Sequence, residues 1–123
     1  MPTDLRQFNK TKYLSLETYR KNGISVRTPV WFVIENQNFF IITKSKTGKV
    51  KRIRNNPNVR ISSCNFKGKI KGEWIDGFAT LKDPTEHPQI IKLRNKKYGL
   101  LSKIVSLFTF GKGDLVIIYI KLT

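Results

Sequence analysis

The stretch KNGISVRTPVWFVIENQNFFIIT, residues 21–43, decides how this chain folds. Asn22-Gly23 stands between two extended segments. A two-residue hairpin turn needs positive φ at both central positions, and Asn and Gly adopt it at least cost. Ile24–Glu35 therefore reads as a strand returning along Tyr13–Tyr19, where Tyr13, Ser15 and Thr18 stand among Leu14, Leu16 and Tyr19. Proline donates no ladder bond, so Thr28-Pro29 marks an edge, a bulge or a kink in that strand and leaves main-chain groups free to face a ligand. Asn36-Gln37-Asn38 is a second turn, and Phe39–Thr43 (FFIIT) a third strand. Hairpin turns joining the first three strands predict a largely antiparallel sheet.

Outward from this stretch the pattern continues. In Lys44–Pro57 the apolar Val50 and Ile53 stand three apart, which suits a short helix with one buried stripe, ended by Asn55-Asn56 and Pro57. Asn58–Phe66 is a fourth strand, Lys67–Gly72 a turn, and Glu73–Lys82 a fifth strand in which Gly77 suggests a bulge or tight bend. Pro84 and Pro88 favour a helix start near Thr85–Pro88, Gln89–Tyr98 carries Ile90, Leu93 and Lys97 at helical spacing, and Gly99 reads as its cap. Leu100–Phe110 reads as a second helix or a buried loop. The turn Gly111–Asp114 precedes a final strand, Leu115–Leu122, and at the other end Thr3 or Asp4 caps a short helix over Leu5–Thr11. The order β-β-β-α-β-β-α-β in 123 residues gives a single mainly β domain, 1–123, with a closed or half-open barrel that removes exposed edges.

Charge is the compositional outlier: 24 Lys and Arg against 8 Asp and Glu leave +16. Such an excess repels itself in the compact state, and a polyanion would relieve it, whether nucleic acid, an anionic membrane surface or a phosphorylated cofactor. The single cysteine, Cys64, excludes an internal disulfide and a cysteine-rich zinc site, and reads as a buried structural thiol. Met1–Lys12 is polar, and no apolar run approaches the roughly 20 residues of a membrane span. A soluble cytoplasmic protein without membrane contact is the expectation.

The charge is also unevenly placed. From Asn36 to Gly72 there is no acidic residue, while Lys44, Lys46, Lys49, Lys51, Arg52 and Arg54 crowd one strand-to-helix turn and the helix after it. Like charges at helical spacing repel. A helix N-terminus offers unpaired N–H groups and the positive end of its dipole, so the cluster as a whole points to a bound anion, although any one of these lysines alone reads as a solvated surface residue. Classical dinucleotide and P-loop glycine patterns are missing, as is a nucleophile elbow. His87 reads as a cap, the scattered carboxylates indicate no metal site, and no catalytic residue can be named. Trp31 and Trp74 read as packing residues. Phe39, Phe40 and Phe66 interleaved with cations also resemble a platform for single-stranded nucleic acid, though their apolar runs assign them to the core first.

Taken together, Gly23-x-x-x-x-Thr28-Pro29-Val30-Trp31-Phe32, then FFIIT, GKVKRIRNNPNV (Gly48–Val59), Cys64, Gly77-x-Ala79-x-Leu81 and Tyr98-Gly99 resemble the pyridoxamine 5'-phosphate oxidase-like flavin-binding superfamily, closest to its deazaflavin-dependent oxidoreductases. The resemblance implies a six-stranded antiparallel split barrel that forms a homodimer with FMN or the deazaflavin coenzyme F-420 at the interface, moving hydride or electrons to a small acceptor that the sequence does not name. By motif it places Thr28, Pro29 and Val30 along the ring system and Thr43 and Lys44 near the ribityl chain. It places Lys49, Val50, Lys51, Arg52 and Asn55 around the phosphate. A high positive charge favours the deazaflavin, whose tail adds carboxylates. The second reading, from a different class, is a basic β-barrel that binds nucleic acid without catalysis.

Overall fold

The structure, a computed structural model, describes residues 5–99 and 114–123. Its strands are β1 (Tyr13–Tyr19), β2 (Ser25–Val30), β3 (Val33–Glu35), β4 (Asn38–Lys44), β5 (Asn58–Cys64), β6 (Ile75–Lys82) and β7 (Leu115–Leu122). The described helices are α1 (Gly48–Asn55) and α2 (Pro88–Tyr98), with 3-10 turns at Leu5–Phe8 and Pro84–Glu86. The strands form one sheet in the order β2-β1-β5-β6-β7-β4-β3, with every pair antiparallel.

The two edges of this sheet, β2 and β3, are consecutive in the chain, joined only by Trp31 and Phe32. Three Cα steps span at most about 11 Å, so the sheet must curl until its edges meet. In effect β2 and β3 are one long bent strand whose first half pairs with β1 and whose second half pairs with β4. The seven segments are thus the six strands expected of a split barrel, one of them divided. The division falls at Trp31-Phe32 and not at Pro29, which keeps its place in the ladder opposite Ser15. An edge strand can hold a proline whose missing N–H would have faced outward.

Other details differ from expectation in instructive ways. At the first hairpin only Gly23 takes positive φ (87°), and the turn closes through Gly23 N–H donating to the Arg20 carbonyl at 2.8 Å. That is the longer loop in which glycine alone occupies the left-handed position. The β3–β4 turn has Asn36 at φ 52° and Gln37 at φ 66°, the two-residue mirror-image geometry. Gly77 makes no bulge and pairs regularly with Val59 and Leu122; a Cβ there would come within 2.8 Å of the Ile120 side chain, so glycine permits close packing. The first helix is only a 3-10 turn, and Thr3, Asp4, Leu100–Phe110 and Gly111–Gly113 lie outside the described residues.

The inner face carries the core. Leu14 and Leu16 of β1, Phe39 and Ile41 of β4, Ile61 of β5 and Ile118 and Ile120 of β7 are fully buried, and α1 contributes Val50 and Ile53 to the same cluster. Each such side chain contributes roughly 1.5–3 kcal/mol on burial. Phe8 packs edge-on against Phe32 and Phe39, at 5.8 and 4.8 Å between ring centres. On the outer face α2 buries Ile90 against Val33, Phe40 and Ile117.

Candidate functional site

The N-terminus of α1 is where charge, burial and geometry coincide. Thr47 stands at the cap position, yet its hydroxyl donates to the Lys44 carbonyl at 3.0 Å and caps nothing in the helix. The first turn contains no acidic residue. Arg52, one turn on, folds back beneath it: a Cβ added to Gly48 would lie 2.7 Å from Arg52 Nη1. Its Nε–H donates to Thr18 Oγ1 of β1 at 2.7 Å. Arg52 has no carboxylate partner among the described residues. Burial lowers its pKa and the like charge of Arg20 lowers it further. A half-buried guanidinium without a counter-ion, beside an uncapped helix start, costs free energy that a bound anion would offset.

From this seat a track runs along β2. Thr18 pairs with Val26, Leu16 with Thr28 and Leu14 with Val30, so Thr28 and Val30 face the same side as Thr18. At about 3.3 Å per residue, Thr28 lies some 7 Å and Val30 some 13 Å along the strand from the Arg52 rung. Thr28 and Pro29 remain half-buried on the sheet edge. The far end of the track is held by α2. The Tyr98 hydroxyl accepts from Phe32 N–H at 2.9 Å, with the carbonyls of Lys12 at 2.8 Å and Phe32 at 3.0 Å as acceptors for its proton. The Tyr98 ring stacks on Trp31 at 4.2 Å. Burial pushes the Tyr98 phenol well above its usual range. Lys97 Nζ donates to the Phe32 carbonyl at 3.0 Å over the Phe32 ring, and burial pulls that amine down to about 8.

The residues expected from the sequence fall into three groups. Thr28 and Val30 lie along the track, Val30 buried in the core cluster, while Pro29 between them faces the other side of β2. Thr43 and Lys44 end β4, opposite Val116 and Leu115, and lead through Thr47 into the α1 start, where Lys49 and Arg52 gather. Val50 is fully buried, so it offers a ligand only its backbone. Lys51 is exposed on α1. Asn55 sits at the opposite end of the helix, its side chain donating to the Lys51 carbonyl at 3.2 Å. That is about 10 Å along the axis from Gly48. Thr18, Arg20 and Gly48 belong to the seat and were not singled out in the sequence. Gly48 and Arg52 at i and i+4 were the available signal, but Thr18 joins only through tertiary packing. Phe39 and Phe40 are buried, so of the three phenylalanines named for base stacking Phe66 alone stays exposed; Phe78 on β6 is exposed as well. Among the described residues no cluster of potential metal ligands occurs, and no helix is long and apolar enough to cross a membrane.

No known family profile matches the chain, and no curated protein does. Solved structures do. The heme storage protein HutZ from Vibrio cholerae superposes with a TM-score of 0.72 at 17% identity, over 96% of this chain and 86% of that one. A pyridoxamine 5'-phosphate oxidase candidate from Listeria innocua gives 0.67 at 16% identity, over 96% and 89%. An F420 reductase gives 0.63 at 21% identity, over 100% and 96%. With its bent β2–β3 strand closing an antiparallel barrel and α1 set against one end of β1, the chain has the split-barrel fold that these solved structures share.

Proposed function

We propose that the chain is a cofactor-dependent oxidoreductase of the deazaflavin-dependent kind, acting as a homodimer on a small acceptor and binding coenzyme F-420 or FMN. The observation that carries this reading is Arg52, without a carboxylate partner among the described residues, at the uncapped start of α1, one end of a track that passes half-buried Thr28 and ends at the buried Val30. The fit is chemical: a phosphate matches the guanidinium and the helix start, and a flat ring system matches the half-buried edge strand at Thr28 and Pro29. Lys44 and Lys49 stand beside the same turn and add positive charge. The half-buried edge at Thr28 and Pro29 gives a second copy of the chain a surface to complete. When bound, the cofactor supplies the hydride or electrons; this chain's residues bind its phosphate and orient its ring. The net charge of +16 favours F-420, which carries carboxylates beyond its phosphate.

The test is fluorescence titration of the full chain with FMN and, separately, with F-420. One of them is expected to bind saturably, and Arg52→Gln to weaken it by about thirtyfold, the loss of charge-assisted hydrogen bonds worth about 2 kcal/mol. Lys49→Ala with Lys51→Ala is expected to weaken it further while the urea midpoint stays in place. Binding unaffected by Arg52→Gln would remove the α1 start from the site.

A further inference from the structure

A second cationic concavity lies at the other end of β1. It is a shallow groove open to solvent, bounded by the segment leading into β1 and by the end of β5 with its hairpin tip, with a volume of about 670 Å³. Small-molecule sites run roughly 300–1,000 Å³. Lys10, Lys12, Lys71, Tyr13, Cys64 and Phe66 line it, with Arg6 beside them, and no carboxylate stands among the described lining residues. The ammonium groups of Lys10, Lys12 and Lys71 make no ion pair or hydrogen bond among the described residues. Burial raises the Cys64 pKa, so the thiol stays neutral and adds no negative charge.

The walls are built before any ligand arrives. The Gln7 side chain accepts from Ser63 N–H and donates to the Glu73 carbonyl, both at 3.0 Å. Thr11 Oγ1 lies 3.2 Å from the Cys64 carbonyl and 3.0 Å from that of Tyr13. Asn65 Oδ1 accepts from Lys67 and Lys69 N–H, both at 2.9 Å. A preformed concavity spares a ligand the cost of ordering it. Phe66, 65% exposed at the rim, offers a flat apolar surface.

We propose that this groove binds a small organic anion that combines two or more negative charges with a flat apolar part. It is a seat distinct from the one at Arg52. The groove begins at Tyr13, five residues along β1 from Thr18. That is about 17 Å, so a single phosphate cannot serve both. Tyr13 directly precedes Leu14, which pairs with Val30, so a ligand here lies beside the far end of the β2 track. A strand of nucleic acid fits less well, because Phe39 and Phe40 are buried and, among the described residues lining the groove, Tyr13 is half-buried and leaves Phe66 as the one exposed ring for a stack.

The experiment is calorimetric titration of the full chain with naphthalenedisulfonate, with pyrophosphate as charge without a ring and a thymidine oligonucleotide as the polymer, alongside backbone NMR shifts. Naphthalenedisulfonate is expected to saturate at one site per chain, to bind more tightly than pyrophosphate and to shift Tyr13, Cys64, Phe66 and Lys71. Lys10→Gln with Lys12→Gln should weaken it by about tenfold or more, while Lys92→Gln with Lys96→Gln, an equal charge change on α2, should weaken it by less than about twofold. Four results would overturn the proposal. They are no saturable binding, equal losses in both double variants, shifts centred on Arg52, and tighter oligonucleotide binding through the same resonances. The shift map uses the unaltered protein, so it stands whether or not a variant folds, and neither arm depends on FMN or F-420 binding.

Discussion

Glu17 shows how much one side chain can decide when register brings partners to it. It faces outward from β1 with Arg27 of β2 and Arg60 of β5 opposite, and is only 1% exposed. Burial pushes its carboxyl up, but hydrogen bonds from Arg60 at 2.7 Å, Arg27 at 2.9 Å and the Tyr19 hydroxyl at 2.8 Å more than reverse that and leave it at about 2. The Trp74 ring covers both guanidiniums, at 4.5 and 5.1 Å. The folded pKa lies below the ordinary value, so the stability it contributes, about 3 kcal/mol, is present above pH 4.5 and lost as pH falls toward 2. Urea unfolding across that window should show this slope in the native chain. Glu17→Gln should flatten it and lower stability at neutral pH by about 3 kcal/mol, since two arginines lose their anion; an unchanged slope would mean the carboxylate titrates elsewhere. None of this was visible in the sequence, where Glu17 is one acid among basic neighbours and only the pairing register joins residues 10 and 43 positions apart. Gly48 carries a complementary prediction. In Gly48→Ala the new methyl meets the flexible end of Arg52, so Arg52 should leave Thr18, and FMN or F-420 affinity should fall by about tenfold with little change in the urea midpoint.

At the scale of elements, the bend at Trp31-Phe32 holds the barrel together, and α2 holds the bend. Tyr98 satisfies Phe32 N–H from 66 residues away. Tyr98→Phe keeps the ring on Trp31 but leaves that buried N–H unpaired, which should cost about 1–3 kcal/mol in urea unfolding with the denaturant slope unchanged. A cost near zero would mean that another acceptor or a water replaces the hydroxyl. The phenol also ties this contact to pH: its folded pKa is raised, so its contribution is full below pH 10 and declines above it. The strands themselves were legible because each is set by local chemistry: alternation within Tyr13–Tyr19, positive φ at Asn36 and Gln37, and the apolar run Leu115–Leu122. The place of the bend was not. Pro29 offers the only local signal for a break, yet it is accommodated in the edge ladder, and the break follows from Phe32 turning into the core and from a tyrosine on a distant helix.

For the whole molecule, the question is how a chain at +16 stays folded and what it attracts. The crowding of cations from Lys44 to Arg54 was readable as an anion site, since no acid interrupts it. Which cation matters was not, because Lys44, Lys49 and Arg52 are all half-buried and the hydrogen bond that fixes Arg52 on Thr18 arises only from tertiary packing. That fixed contact separates the two uses of the charge. On the proposed function, a cofactor phosphate held by Arg52 and the α1 start would engage a few cations in a partly buried seat, where added salt screens weakly, and its ring contacts on β2 would not depend on salt. A nucleic acid would instead engage the exposed field and release many counter-ions, losing about a thousandfold or more in affinity between 50 and 200 mM salt. FMN affinity is therefore expected to fall by less than about tenfold over that range, measured by fluorescence titration, while any oligonucleotide binding collapses. A steep fall for FMN itself would mean that it rides on the surface field and that the edge strand at Thr28 and Pro29 contributes nothing to holding it.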